Sequence, residues 1–139
     1  MKAEVKWLGK RAFEGTADSG HSVIMDSSPD FGGEDRGIRP MEMLMVGMGG
    51  CTSIDVMNIL EKSRQDVTDC IAEITAERAS TEPKVFVKMH VHFKVSGRGL
   101  ESKRVERAIE LSAEKYCSAS IMLGKTAEIT HDFELIEVD

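Results

Sequence analysis

The chain has 139 residues, 41% of them hydrophobic and 30% charged, a balance that fits one globular domain (residues 1–139) rather than a disordered segment. The formal net charge is -6, and the lysines and arginines are interspersed with Asp and Glu, so no basic patch is offered to a nucleic acid. No run is read as the ~20 apolar residues of a membrane span and Met1–Trp7 lacks a signal-peptide core, so a cytoplasmic protein is expected; three cysteines in that reducing compartment argue against a structural disulfide framework.

In chain order, Ala3, Val5 and Trp7 alternate with charged neighbours and predict a strand, and His21–Met25 predicts a second after the turn-rich Ala17-Asp18-Ser19-Gly20. Ser27 to Arg39 reads as a loop, interrupted by Pro29, Gly32, Gly33 and Gly37. Pro40 suits the first turn of a helix, where its missing N–H would have been unpaired anyway. The run from Met41 to about Lys62 is apolar on nearly all sides through Leu60, which predicts a long buried helix rather than an amphipathic one. Gly47, Gly49 and Gly50 each cost about 1 kcal/mol of helix propensity relative to alanine. Their presence predicts a close neighbour beside Cys51.

Val67 to Arg78 reads as a strand, and Val85 to Val95 shows the clearest alternation in the chain. Val85, Val87, Met89, Val91, Phe93 and Val95 fall on one face, with Lys88, His90, His92 and Lys94 on the other. Leu100 to Tyr116 follows as an amphipathic helix with Val105, Ala108, Ile109 and Ser112 at helical spacing. Cys117 and Ser118 separate it from a short apolar segment, Ala119 to Leu123, and the last strand runs from about Ala127 to Val138. This order is an α+β pattern with an antiparallel sheet. One sheet can hardly cover a helix that is apolar all round, so a homodimer burying it between two subunits is expected.

Three residue types bear on chemistry. Cys51, in Gly49-Gly50-Cys51-Thr52-Ser53, reads either as a compact core side chain or as a thiol that the adjacent glycines leave approachable. Cys117 falls at a break. At the start of the following segment it would gain from helix N–H groups that favour thiolate; in the last turn of the preceding helix it would gain nothing, and the sequence leaves both open. Cys70, in strand-like Asp69-Cys70-Ile71-Ala72, reads as structural. His90 and His92 share a strand face, but a metal site would need further ligands, from His131 or His21, and a solvent-facing strand is the simpler account. Met41, Met43, Met45 and Met48 read as adaptable core filler that would also suit a pocket for an apolar substrate.

Pro40-Met41-Glu42-Met43-Leu44, Gly49-Gly50-Cys51 with Asp55-Val56 behind it, Tyr116-Cys117-Ser118 and the terminal Ile129-Thr130-His131 together resemble the OsmC/Ohr-like family, particularly its YhfA-like branch. Cys117 lies 66 positions after Cys51, a spacing that suits that family. The resemblance implies an OsmC-like fold in an intertwined α+β homodimer, with a site built around the long central helix. It implies a thiol peroxidase, without metal or organic cofactor, in which peroxidatic Cys51 attacks a small organic hydroperoxide and resolving Cys117 closes a disulfide. A dithiol, typically on a lipoyl-bearing protein, then reduces that disulfide, in oxidative stress defence. The redox chemistry follows the rule that a peroxide-reactive cysteine is poised beside a resolving partner.

The family's thiolate is held by an arginine–glutamate pair whose glutamate directly follows the proline. Here Met41 fills that place and Glu42 is one further on. At about 100° per residue, Glu42 and Cys51 are about 180° apart on the helix. Glu42 and Arg39 are the candidates for the pair, with Arg36 and Arg11 as further arginines; on that opposite face Glu42 reads equally as a charge that favours the helix N-terminus. The alternative function, on the same scaffold, is a protein that binds an apolar or electrophilic small molecule near Cys51 without turnover.

Overall fold

The computed structural model describes all 139 residues, and the chain divides within its long helix into two compact units, Met1–Leu44 and Met45–Asp139.

The first unit is a three-stranded antiparallel sheet, β1 (Ala3–Gly9), β2 (Ala12–Ala17) and β3 (Ser22–Met25), in that order. β2 escapes the sequence pattern because Gly15 interrupts it and the β1–β2 turn lacks the usual Asn-Gly or Asp-Gly; Gly9 and Lys10 take positive φ there instead. A single 3₁₀ turn, Pro29–Phe31, breaks the following loop. The buried carboxylate of Asp26 organises that loop by accepting from the backbone N–H groups of Ser27, Glu34 and Arg36. Burial opposes its charge, but those N–H bonds and the Arg36 cation together hold the Asp26 pKa below its ordinary value.

Helix α1 spans Pro40–Lys62, within a residue of the expected limits. Arg39 precedes it: its carbonyl accepts the first helical bond, from the Met43 N–H, and its own N–H donates to the Glu42 carboxylate at 2.9 Å. This is the reciprocal half of a capping box, in which the third residue of the helix reaches back to the N-cap. α1 is long and apolar enough to cross a bilayer by length and composition, which corrects the expectation that no segment would be. Its face through Met48, Gly49, Thr52, Val56 and Leu60 is buried in protein. The all-round burial expected of it is not reached within one chain: Leu44, Val46 and Ile54 are 47%, 58% and 64% exposed.

The second unit continues with β4 (Asp66–Arg78), β5 (Phe86–Arg98), α2 (Ser102–Leu111), a five-residue π-helical segment (Ser112–Tyr116), α3 (Ser118–Leu123) and β6 (Glu128–Glu137). The sheet order is β4-β5-β6. β4 and β5 are antiparallel, but β6 runs parallel to β5, which corrects the expectation of a wholly antiparallel sheet. The reason is the connection: a helical crossover returns the chain to the starting edge and so produces a parallel pair. Met89, Val91, Phe93 and Val95 face inward as expected. Val85 and Val87 do not share that face; the register shifts beside Arg78, where Arg78 pairs with Phe86 and Glu77 with Lys88, so Val87 is extra and Phe86 becomes the buried residue.

The inner face of β5, the buried stripe of α1 and Val105, Ala108 and Ile109 of α2 make the core. A fully buried aliphatic or aromatic side chain contributes roughly 1.5–3 kcal/mol of transfer free energy, so β5 is the main source of hydrophobic stabilisation here. α1 lies against β4 at Gly49: a Cβ there would collide with Ile74 Cδ1, so glycine permits the close approach foreseen beside Cys51. Gly47 and Gly50 have nothing within contact distance in the single chain.

The outer face of the sheet carries an ionic ladder. His90 hydrogen-bonds Thr130 and Asp132, each at 2.7 Å; His92 donates to the same Asp132 oxygen at 2.7 Å; Lys94 pairs with Glu73 at 2.6 Å. His131 sits at an adjacent position of β6 and hence on the inner face, so it cannot join His90 and His92 around one ion. The bond to Asp132 raises the His92 pKa; partial burial opposes this, and the charges of Asp132, Glu134 and Glu73 add to it. Because the folded-state value is raised, the stability this pair adds is fully present below pH 6.5, the ordinary histidine value, and is lost as pH rises through the raised value. Asp132 is correspondingly lowered, so its share is present above 3.8 and lost as pH falls through its depressed value. An NMR titration should therefore place His92 above 6.5, and His92→Asn should flatten the loss of stability on the alkaline side of that value. A His92 midpoint below 6.5 contradicts the ladder.

Candidate functional site

The two units place the sequence candidates differently. Cys51 and Cys117 lie in the second; Glu42, Arg39, Arg36 and Arg11 lie in the first. Glu42 is occupied as the helix cap, and the Arg39 guanidinium is bonded to Asp35 at 2.7 Å and to the Gly37 carbonyl at 3.0 Å. Cys70 is half-buried in β4 opposite Val95, and burial, then the Asp69 charge, pushes its pKa up, as befits an inert thiol.

Cys51 stands half-buried near the middle of α1. Asp55 follows it by four positions, one turn on and therefore on the same face. Cys117 arrives from the other side. α2 widens into the π-helical segment, the Cys117 N–H closes the wide turn on the Ser112 carbonyl at 2.8 Å, and the backbone then becomes extended (φ -77°, ψ 97°). π-type turns recur at functional sites because the extra residue re-aims the side chains around it. The extended residue is the N-cap of α3, which settles the position the sequence left open.

These elements bring Cys51 Sγ, Cys117 Sγ and an Asp55 carboxylate oxygen within 4.8 Å of one another. Cys117 and Asp55 are held by their neighbours. Cys117 Sγ accepts from the Ser120 N–H at 3.3 Å and from Ser120 Oγ at 3.0 Å. Ser112, fully buried at the start of the π-helical segment where it continues the apolar stripe of α2, donates to Asp55 Oδ2 at 3.1 Å. A hydroxyl has one proton, so Thr52 is the donor in the 2.8 Å bond between Thr52 Oγ1 and Ser112 Oγ. The buried pair thus ties α1 to the π-helical segment and fixes the carboxylate beside the two sulfurs.

Burial pushes the Cys117 thiol up; the two Ser120 bonds pull it down, the Cys51 side chain pushes it up again, and the net direction is upward. The N-cap position is the one that favours a thiolate, yet here desolvation outweighs it. Cys117 is a buried, neutral thiol at neutral pH, and Cys51 is the more accessible of the two. Asp55, Ser112 and Ser120 were not singled out from sequence. The spacing of Asp55 from Cys51 and a serine on an otherwise apolar helical stripe were the signals present; the Ser120 bond depends on a turn no pattern specifies.

A protein-family model described as OsmC-like protein matches residues 32–132. Protein YhfA of Escherichia coli (strain K12) is 45% identical over 136 residues, 98% of each chain. Among solved structures, a hypothetical protein from Aquifex aeolicus VF5 is 28% identical with a TM-score of 0.87, covering 99% of this chain and 97% of that one. An organic hydroperoxide resistance protein, OsmC, from Legionella pneumophila covers 99% and 96% with a TM-score of 0.71; at 15% identity that likeness is one of fold. The α+β fold with a long helix expected from sequence is that of these relatives, built on two small sheets rather than the single one expected, and the chain belongs to the OsmC-like protein family.

Proposed function

We propose that the protein is a thiol-dependent peroxidase that reduces small organic hydroperoxides, with Cys51 as peroxidatic and Cys117 as resolving cysteine. The observation that carries this reading is the convergence of two thiols from distant segments, within 4.8 Å, beside an oriented carboxylate. Asp55 can accept the Cys51 proton. The Cys51 thiolate then attacks the peroxide's terminal oxygen; the O–O bond breaks, an alcohol leaves with a proton, and Cys51 becomes a sulfenic acid. Cys117 attacks that sulfur, a disulfide forms and water leaves. The final S–S bond is about 2.05 Å, so the sulfurs must approach further, a movement the half-buried Cys51 side chain can make. A dithiol of the lipoyl kind restores both thiols while itself becoming a disulfide.

The same reading takes the protein as a cytoplasmic homodimer acting in oxidative stress defence. Leu44, Val46 and Ile54 are exposed apolar side chains of α1, and Gly47 and Gly50 leave that helix open to close approach, both of which a second copy would use. A second function, binding of an apolar or electrophilic molecule near Cys51 without turnover, is favoured by the engagement of Glu42 and Arg39 in capping and in the Asp35 pair. Thiol counting separates the two. Reduced protein treated with stoichiometric cumene hydroperoxide should lose two of its three thiols per chain within the mixing time of a hand experiment, and regain them with dihydrolipoamide. Unchanged thiols would end the peroxidase reading.

A further inference from the structure

Two sulfurs and a carboxylate oxygen within 4.8 Å also make a ligand set. We propose that the reduced site binds one thiophilic divalent cation, zinc foremost, through Cys51 Sγ, Cys117 Sγ and Asp55, with a fourth position open to water or an exogenous ligand. The proposal rests on the reading above only in taking Cys51 and Cys117 as a reduced pair.

The donor set suits the ion. Zinc takes thiolate at about 2.3 Å and carboxylate at about 2.0–2.2 Å in a tetrahedron, so its ligand atoms stand roughly 3.5–3.8 Å apart. The three atoms here need to draw in by no more than about 1.3 Å to reach that spacing. Two thiolates with one carboxylate favour zinc or cadmium over magnesium or calcium, which take oxygen alone. The outer ring is already built: Ser112 donates to Asp55 Oδ2 and so orients the carboxylate, and Ser120 donates twice to Cys117 Sγ, bonds that support a thiolate. Loading exchanges two thiol protons for the cation, so one ion binds and two protons leave. A metal bonded to both sulfurs engages the electron pairs with which Cys51 would attack a hydroperoxide and Cys117 the resulting sulfenic acid, so metal loading and disulfide formation exclude one another.

Cadmium reports on such a site through its thiolate charge-transfer band in the ultraviolet. Titrating the reduced, full-length protein with Cd²⁺ alone should give one ion per chain and shield two of three thiols from a thiol reagent. Cys51→Ser and Cys117→Ser should lose the band, Asp55→Asn should weaken binding tenfold or more, and Cys70→Ser should bind as wild type. Pre-loading the wild-type protein with Zn²⁺ should slow its thiol loss to cumene hydroperoxide at least tenfold. Absence of the band in wild type, its persistence in either Cys51→Ser or Cys117→Ser, its dependence on Cys70 or an unchanged affinity in Asp55→Asn overturns the site; the wild-type stoichiometry and shielding stand apart from any failure of a variant to fold. The two readings fail separately: cation binding without peroxide-driven thiol loss ends the peroxidase, and thiol loss without cation binding ends this proposal.

Discussion

Cys117→Ser should convert a two-thiol reaction into a one-thiol one, with Cys51 stopped as a sulfenic acid after a single turnover. Ser120 would then bond a hydroxyl in place of the sulfur, and the space changes little, so the fold should be kept. A dimedone-type probe should label the oxidised variant once per chain, and catalytic hydroperoxide consumption with a dithiol reductant should fall by roughly 10²-fold or more, because the intermediate must now be reduced directly rather than through its disulfide. Cys51→Ser should remove the reaction altogether, lowering consumption on the order of 10³-fold or more, as expected when the nucleophile itself is deleted. The asymmetry matters. Cys117 is fully buried and its thiol is pushed up, so it is poorly suited to meet peroxide first; Cys51 is half exposed. Should Cys117→Ser lose activity without a trappable sulfenic acid, or Cys51→Ser keep it, the assignment of roles is reversed or wrong.

The parts of this site that were legible in sequence are those set by local pattern. Pro40 marked the start of α1, and the interruption at Cys117-Ser118 marked the break that became the N-cap of α3. The alternation from Met89 to Val95 gave the inner face of β5 directly. What sequence could not supply depends on events distant along the chain. The direction of β6 is set by the crossover through α2 and α3, not by anything in Glu128–Glu137. The flip at Val87 comes from a bulge whose other half is at Arg78. The upward shift of Cys117 required knowing that burial outweighs its two serine donors. Glu42 entered as a candidate only through the family's arginine–glutamate pair, and its position as third residue of the helix accounts for the bond it makes to the Arg39 N–H. The polar tie Thr52–Ser112–Asp55 spans about the same sequence distance as the cysteine pair, so the two long-range contacts reinforce one another in holding the π-helical segment against α1.

The largest effect on stability should come from Phe93→Ala. Phe93 is 0% exposed at the centre of β5, flanked in register by Ala72 of β4 and Phe133 of β6. Deleting its ring removes the transfer free energy of a full aromatic side chain and leaves a cavity. Strands on both sides restrain any collapse into that cavity, so the cost should lie in the usual range for such truncations, about 3–5 kcal/mol. In a domain of this size that lowers Tm by on the order of 10–20 °C. Phe31→Ala supplies the contrast. Phe31 is 78% exposed on the 3₁₀ turn of the first unit, and its truncation should change stability by no more than about 0.5 kcal/mol. Chemical denaturation of both variants beside wild type measures the two at once. Because β5 also anchors the face on which α1 rests through Ile74, Phe93→Ala should loosen the Cys51–Cys117 approach before it unfolds the chain. Disulfide formation in this variant should therefore slow at temperatures well below its Tm. A cost under about 1 kcal/mol for Phe93→Ala, or equal costs for the two phenylalanines, would contradict a core centred on β5.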